Sequence, residues 1–288
     1  MKALSPLINI GWLRALLFVG INILANEAFF TLAYRILEEL GVDTYTLSED
    51  PSQLPILLLT IFLQGALVIG LVWLFRRFVD REPMNTLGIS VKGRLQDFLW
   101  GFLTGGLIMG LGFLILWKMG YLEVVRFQFR PEILLGHFLL FSLVAIQEEV
   151  ANRGYVLSNF LDSMPKYPAL ICSAIIFAVL HAFNPNLSEI GFINIILGGI
   201  LMGLFYVYRR NLWFPIGLHL SWNFVQGPIL GFPISGQSLG KTTMMIQRHV
   251  GPEWMSGGSF GFEGSVVACG LVIIAIFILL NRVKTTVQ

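Results

Sequence analysis

Charge is scarce in this sequence. Asp, Glu, Lys and Arg make up only 12% of 288 residues, against about a quarter of a typical soluble domain. The balance of 19 basic and 17 acidic residues leaves a net charge of +2. That excess is too small for the basic surface that nucleic-acid binding needs. Cysteine is rarer still: Cys172 and Cys269 both lie in apolar stretches, read as small hydrophobes, and make neither a disulfide framework nor a metal knuckle. Several signatures are also missing. There is no HExxH zinc pair, no GxSxG nucleophile elbow, no low-complexity segment and no internal repeat of the inverted-transporter kind. The glycine-rich GGSFGFEGS (Gly257–Ser265) has no strand before it and no lysine after it, so it is not a phosphate loop. It ends a long connection, about residues 231–263, expected to form an outer flap or cap over the helices. The apolar N-terminal stretch is too long, and lacks the small-residue cleavage site, for a secretory leader.

What is abundant is hydrophobicity: 56% of residues, with a mean hydropathy of +0.76. Runs such as Leu54–Phe75 and Val266–Leu280 approach the roughly 20 apolar residues that cross a bilayer. The pattern predicts an all-α, polytopic transmembrane helical bundle in one integral membrane domain spanning 1–288. About eight membrane helices are expected, near residues 9–38, 54–77, 97–118, 132–161, 167–183, 191–209, 212–230 and 264–281. Small-residue spacings at Gly101, Gly105, Gly106, Gly110, Gly199 and Gly203 suit close helix contacts. Basic residues gather in the second–third loop (Arg76, Arg77, Arg81, Lys92, Arg94), the sixth–seventh turn (Arg209, Arg210) and the C-terminal end (Arg282, Lys284). The positive-inside rule then puts both termini in the cytoplasm. Lys118, Arg126 and Arg130 run against this on the other side.

Against that background, FSLVAIQEEVANRGYVLSNF (Phe141–Phe160) stands out, because Glu148, Glu149 and Arg153 fall inside an apolar helix. A charge at a helix centre costs about 2.5–3.5 kcal/mol on insertion scales, so such residues usually face the bundle interior and have a function. The other titratable groups in apolar segments are His137 and His181, together with His219, four residues before Asn223. Residues four apart share a helix face. Glu149 and Arg153 can therefore pair, and Glu148 is left to point elsewhere. Counting about 1.5 Å per residue through the turn near Met164 returns His181 to the depth of Glu148, so these two are expected to be neighbours. The depth of His219 depends on where its helix starts and on whether Pro215 breaks it.

A carboxylate with an imidazole can hold and deprotonate a water, and a second histidine with an asparagine can stabilise an oxyanion. The same Glu148, His181 and His219 could form an open zinc site, or the cluster could be interhelical glue or a proton relay.

In order along the chain, EEVANR (Glu148–Arg153), FAVLH (Phe177–His181) and HLSWN (His219–Asn223) fit EExxxR, FxxxH and HxxxN. This set resembles the membrane-embedded CAAX protease and bacteriocin-processing family, over about residues 130–230. The resemblance implies an intramembrane endopeptidase acting on a peptide or protein substrate, lipidated in the CAAX-processing members. It implies Glu148 as general base and His181 as its partner on the attacking water, with His219 and Asn223 as the oxyanion hole. Glu149 and Arg153 would brace the site and Phe177 would line it. A metal-free glutamate mechanism is favoured over zinc. The short loops and the GGSFGFEGS tail resemble bacterial members, which places the chain in a bacterial plasma membrane. The alternative is a non-enzymatic scaffold or bacteriocin-immunity protein.

Overall fold

A computed structural model describes residues 5–285, and each of the eight hydrophobic stretches folds as helix. The main helices are α1 (Gly11–Glu39), α2 (Leu54–Leu74), α3 (Leu95–Lys118) and α4 (Pro131–Glu149), followed by the short α5 (Ser158–Leu161). Then come α6 (Lys166–Leu180), α7 (Glu189–Arg209), α8 (Trp213–Phe224), the one-turn α9 (Glu253–Ser256) and α10 (Val266–Thr285). Three helices continue into π-helical turns: α2 into Phe75–Asp80, α4 into Val150–Leu157 and α8 into Val225–Ile229.

The expected all-α, polytopic helical fold is present, with one small addition: β1 (Leu122–Phe127) pairs antiparallel with β2 (Met245–His249), Leu122 opposite His249. The β-branched and aromatic run LEVVRF was a strand signal inside a loop. Among the described residues, six helices are by length and composition able to cross a membrane: Gly11–Glu39, Pro51–Asp80, Leu95–Lys118, Pro131–Leu161, Glu189–Arg209 and Val266–Lys284. Lys166–Leu180 is apolar but shorter, and α8 is shorter still. Every α8 residue from Phe214 to Asn223 is buried. A helix surrounded by protein does not have to span the lipid thickness itself.

The loops sort to the two ends of the bundle. At one end lie the basic connections. Arg14 bonds Asp80 (3.1 Å) and Asp162 (3.0 Å), and Arg76 reaches the other oxygen of Asp80 (2.8 Å). Asn211 donates to Asp97, and the Trp213 indole donates to the Ser90 carbonyl. The N-terminal segment joins this end through the Leu7 N–H to Val79, and Arg282 lies over Trp100. At the other end, residues 231–264 pack over the helices. There Gln128 donates to the carbonyls of Lys241 and Thr243, and Asn186 donates to that of Gly236.

Close approach of α3 brings α8 into the interior. A Cβ added at Gly101 would sit 2.0 Å from the Phe214 carbonyl, and one at Gly105 would sit 2.2 Å from Ser221 Oγ and 2.6 Å from the Leu218 carbonyl. Gly199 and Gly203 do the same for α7 against Ala174 and Leu170 of α6. Gly106 has only Val225 at 3.9 Å, and Gly110 has nothing within 4 Å, so these two are not packing glycines. Glycine earns its place only where backbones touch.

Gly105→Ala is therefore expected to destabilise the protein by about 1–3 kcal/mol through overpacking, whereas Gly110→Ala is neutral or slightly stabilising. Thermal unfolding of both variants in one detergent checks the pair; equal melting temperatures would contradict the α3–α8 contact.

Candidate active site

The site forms where α4 ends and its backbone widens. Glu148 and Glu149 are the last residues of α4, and Arg153 lies in the π-helical continuation. Such widened turns are frequent at functional sites. The expected ion pair is present: Arg153 Nη1 donates to Glu149 Oε1 at 2.7 Å, with both side chains essentially sealed off. The same Glu149 oxygen accepts from His219 Nδ1 at 2.9 Å. One carboxylate oxygen thus ties α4 to α8. A proton on Nδ1 leaves Nε2 as the nitrogen that faces the rest of the site. Nε2 lies 4.0 Å from Glu148 Oε2, too far for a direct hydrogen bond.

The two carboxylates differ in surroundings. Glu149 is 0% exposed, whereas the Glu148 side chain keeps 29% of its surface open. Glu148 Oε2 is nevertheless shielded and accepts no hydrogen bond from the described residues. Buried polar atoms are normally satisfied, so an unsatisfied one suggests a ligand or a function.

Phe177 is the hub of the remaining residues. Arg153 lies over its ring at 4.2 Å, the His181 ring is 4.6 Å away between centroids, and the His219 ring meets it edge-on at 6.4 Å. Phe177 is only 5% exposed, so it packs beneath the site more than it lines an opening. His181 is the residue just past α6. Its Nδ1 bonds the Phe177 carbonyl at 2.7 Å, and a proton on Nδ1 makes Nε2 an acceptor. Asn223, one turn beyond His219, is buried, and its amide has no hydrogen-bond partner among the described residues.

His219 Nε2 comes to 4.0 Å from Glu148, and His181 joins the same cluster through Phe177. Immediately after Glu149, α4 turns π-helical, which rotates the facing of all that follows relative to a straight α-helix. Pro215 does not break α8. It falls in the first turn, where a missing N–H costs little, so α8 carries His219 inward from Trp213.

His137, the other intramembrane histidine, stands apart: Nδ1 bonds the Ile133 carbonyl and the ring stacks on Phe141. Among the described residues, no three His, Cys, Asp or Glu side chains are grouped to hold a metal, and His219 Nδ1 is engaged by Glu149.

Two residues bearing on the site were not anticipated from the sequence. Glu263 is buried and accepts from the Trp222 indole at 3.0 Å, and Asn194 donates to the carbonyls of Glu263 and Ser265. Their only sequence signal was a carboxylate inside GFEGS.

Glu149→Ala leaves the Arg153 charge buried without its partner, a change expected to cost about 3–5 kcal/mol, whereas Glu148→Ala removes a carboxylate whose Oε2 accepts no hydrogen bond and whose nearest ionisable partner, His219 Nε2, is 4.0 Å away. Thermal unfolding should place Glu149→Ala well below Glu148→Ala; the reverse order would contradict this division of labour.

No curated protein and no solved structure matches the chain. Among protein-family models, the one described as type II CAAX prenyl endopeptidase Rce1-like matches residues 130–225, the stretch that holds Glu148, Glu149, Arg153, Phe177, His181, His219 and Asn223. The chain is thus a multi-pass helical membrane protein whose residues 130–225 match the Rce1-like family model, the stretch that carries the three sequence motifs.

Proposed function

We propose that the protein is an intramembrane endopeptidase in which Glu148 activates water for attack on a peptide bond. The observation that carries this reading is the contrast between the carboxylates. Glu149 is sealed off, with its Oε1 held by both Arg153 and His219, whereas Glu148 keeps 29% of its side-chain surface open and its Oε2 faces His219 Nε2 at 4.0 Å without a hydrogen bond. Buried, braced charge beside one available carboxylate is what a general base inside a membrane requires.

The step reads as follows in atoms. Water oxygen bonds to the carbonyl carbon as Glu148 takes one of its protons, and His181 Nε2 accepts a hydrogen bond from the same water. The carbonyl oxygen becomes an oxyanion that receives a hydrogen bond from the Asn223 amide and, once that nitrogen carries a proton, from His219 Nε2. The carbon–nitrogen bond then breaks, and Glu148 returns its proton to the departing amine. Glu149 and Arg153 hold His219 in place and do not react. No step passes through a metal.

The substrate that fits the family match is a membrane-associated peptide or protein, with lipidation as the specific case. The positive-inside bias of the end bearing Arg76, Arg94 and Arg209 supports the reading that this end and both termini face the cytoplasm of a plasma membrane.

The test is cleavage of a quenched fluorescent prenylated peptide, beside its unlipidated counterpart, by purified protein in detergent. Glu148→Gln is expected to lower kcat by about 10²–10⁴ with no loss of melting temperature. Cleavage that survives this substitution would overturn the role of Glu148. Asn223→Ala is expected to lower kcat about 10²–10³-fold with KM little changed. Wild-type cleavage is expected to be indifferent to a zinc chelator; loss with chelator and return with zinc would replace this mechanism by a metal-dependent one. A wild type that cleaves neither peptide, with Glu148→Gln indistinguishable from it in the cell, would favour the scaffold or immunity reading.

A further inference from the structure

The reaction above leaves the glycine-rich segment Gly257–Ser265 unused, yet it is one of the most constrained parts of the chain. Gly257 (φ +88°) and Gly261 (φ +99°) are left-handed, and a Cβ at either would meet a backbone oxygen at 2.0 Å or less, Gly261 O and Pro233 O respectively. These turns drive three consecutive side-chain anchors inward. Phe260 packs against Gly191 of α7, and Phe262 fills the notch at Gly112 of α3. Glu263 enters beside α8 at 5% exposure. Phe260 and Phe262 share one buried core with Phe177 and Trp222.

The Glu263 carboxylate is unusual in its partners. Oε1 accepts from the Trp222 indole at 3.0 Å and Oε2 from the Ser235 hydroxyl at 2.8 Å. No Lys or Arg pairs with it among the described residues. Burying a carboxylate on neutral donors alone is costly, so packing by itself does not account for a glutamate here. One turn beyond Trp222, Gln226 donates to the Pro233 carbonyl at 2.7 Å. On α8, Trp222 lies three residues past His219 and one before Asn223, so it projects about 60° around the helix from the first and about 100° from the second, while Gln226 lies in the π-helical continuation. Clamping Trp222 fixes the rotation and depth at which His219 and Asn223 are presented to Glu148.

We propose that Glu263 is a positioning residue of this centre: through Trp222 it locks α8 so that His219 and Asn223 stand in register with Glu148. The proposal rests on the proteolytic reading for its effect on rate. Its structural half, the locking of α8, stands independently of that reading.

Both halves are tested in the full-length protein in detergent. Glu263→Ala and Trp222→Phe each remove one side of the bond, and each is expected to lower kcat about 10- to 100-fold with KM within about twofold. The double variant should be no slower than either single one, since both break one link. Glu263→Gln keeps an acceptor for the indole and should stay within about threefold of wild type. A purely structural role would lower activity only in step with the folded fraction, measured by size-exclusion profile. Wild-type kcat in folded Glu263→Ala, or losses that multiply in the double variant, would overturn the proposal.

The second readout needs no activity. With Cys172 and Cys269 replaced by alanine, Asn223→Cys is labelled with a small maleimide. The labelling rate should rise about tenfold when Glu263→Ala or Trp222→Phe is added and stay unchanged with Glu263→Gln. Equal rates in all backgrounds would sink the lock. Wild-type protein that cleaves nothing while labelling rises would sink the protease reading and leave the lock intact. Should Glu263→Ala not survive extraction, Trp222→Phe and Glu263→Gln decide the matter by the same two measurements.

Discussion

One oxygen atom organises this molecule. Glu149 Oε1 accepts from Arg153 on its own helix and from His219 on α8, deep inside a chain that is otherwise poor in charge. A carboxylate and a guanidinium both sealed from solvent have a large desolvation cost, offset only when the geometry is good and the partners stay together. That requirement constrains α8. It must come within hydrogen-bond reach of α4, and it must be wrapped by protein on all sides. The glycines of α3 that let Phe214, Leu218 and Ser221 approach its backbone are a consequence of that burial. So is the shortness of α8, which only a helix shielded from lipid tolerates.

A second charged cluster supports the first from the basic end. Asp80, fully buried, accepts from Arg14, Arg76 and the Tyr155 hydroxyl. It joins the start of α1 to the π-helical turns that follow α2 and α4. Tyr155 is two residues from Arg153 in the same π-helical stretch, so the network that holds α1 also steadies the turn that aims the guanidinium at Glu149. Phe18, Phe75 and Tyr155 meet ring to ring beside it. Inside a membrane, where apolar contacts between helices gain little over lipid contacts, such polar links and close packing carry much of the specificity.

Function then follows from a gradient of commitment among polar groups. Glu149 Oε1 is shared between Arg153 and His219, while Glu148 Oε2 and the Asn223 amide have no hydrogen-bond partner among the described residues, which is what the proposed roles of Glu148 and Asn223 require. The cap made by residues 231–264 reaches the same helices from the opposite end, through Trp222, Gln226 and Asn194. The centre is thus held from two ends, which suits chemistry that depends on the placement of a few donors.

The sequence alone determined the class of molecule and singled out the candidate site residues. Hydropathy marked all eight helices because burying apolar side chains in lipid is a local, additive property of a segment. The spacing of Glu149 and Arg153 predicted their pair because four residues make one turn of a single helix. Tertiary structure decided how His219 comes to face Glu148. That depends on the π-helical turn after Glu149 and on the uninterrupted run of α8 past Pro215, small changes of rotation that no residue spacing records. It also decided that two of the eight helices fall short of a membrane span, that LEVVRF pairs with a strand more than 110 residues away, and that Glu263 belongs with Trp222. Contacts between distant segments depend on how whole helices pack, and that packing follows from all their close approaches together.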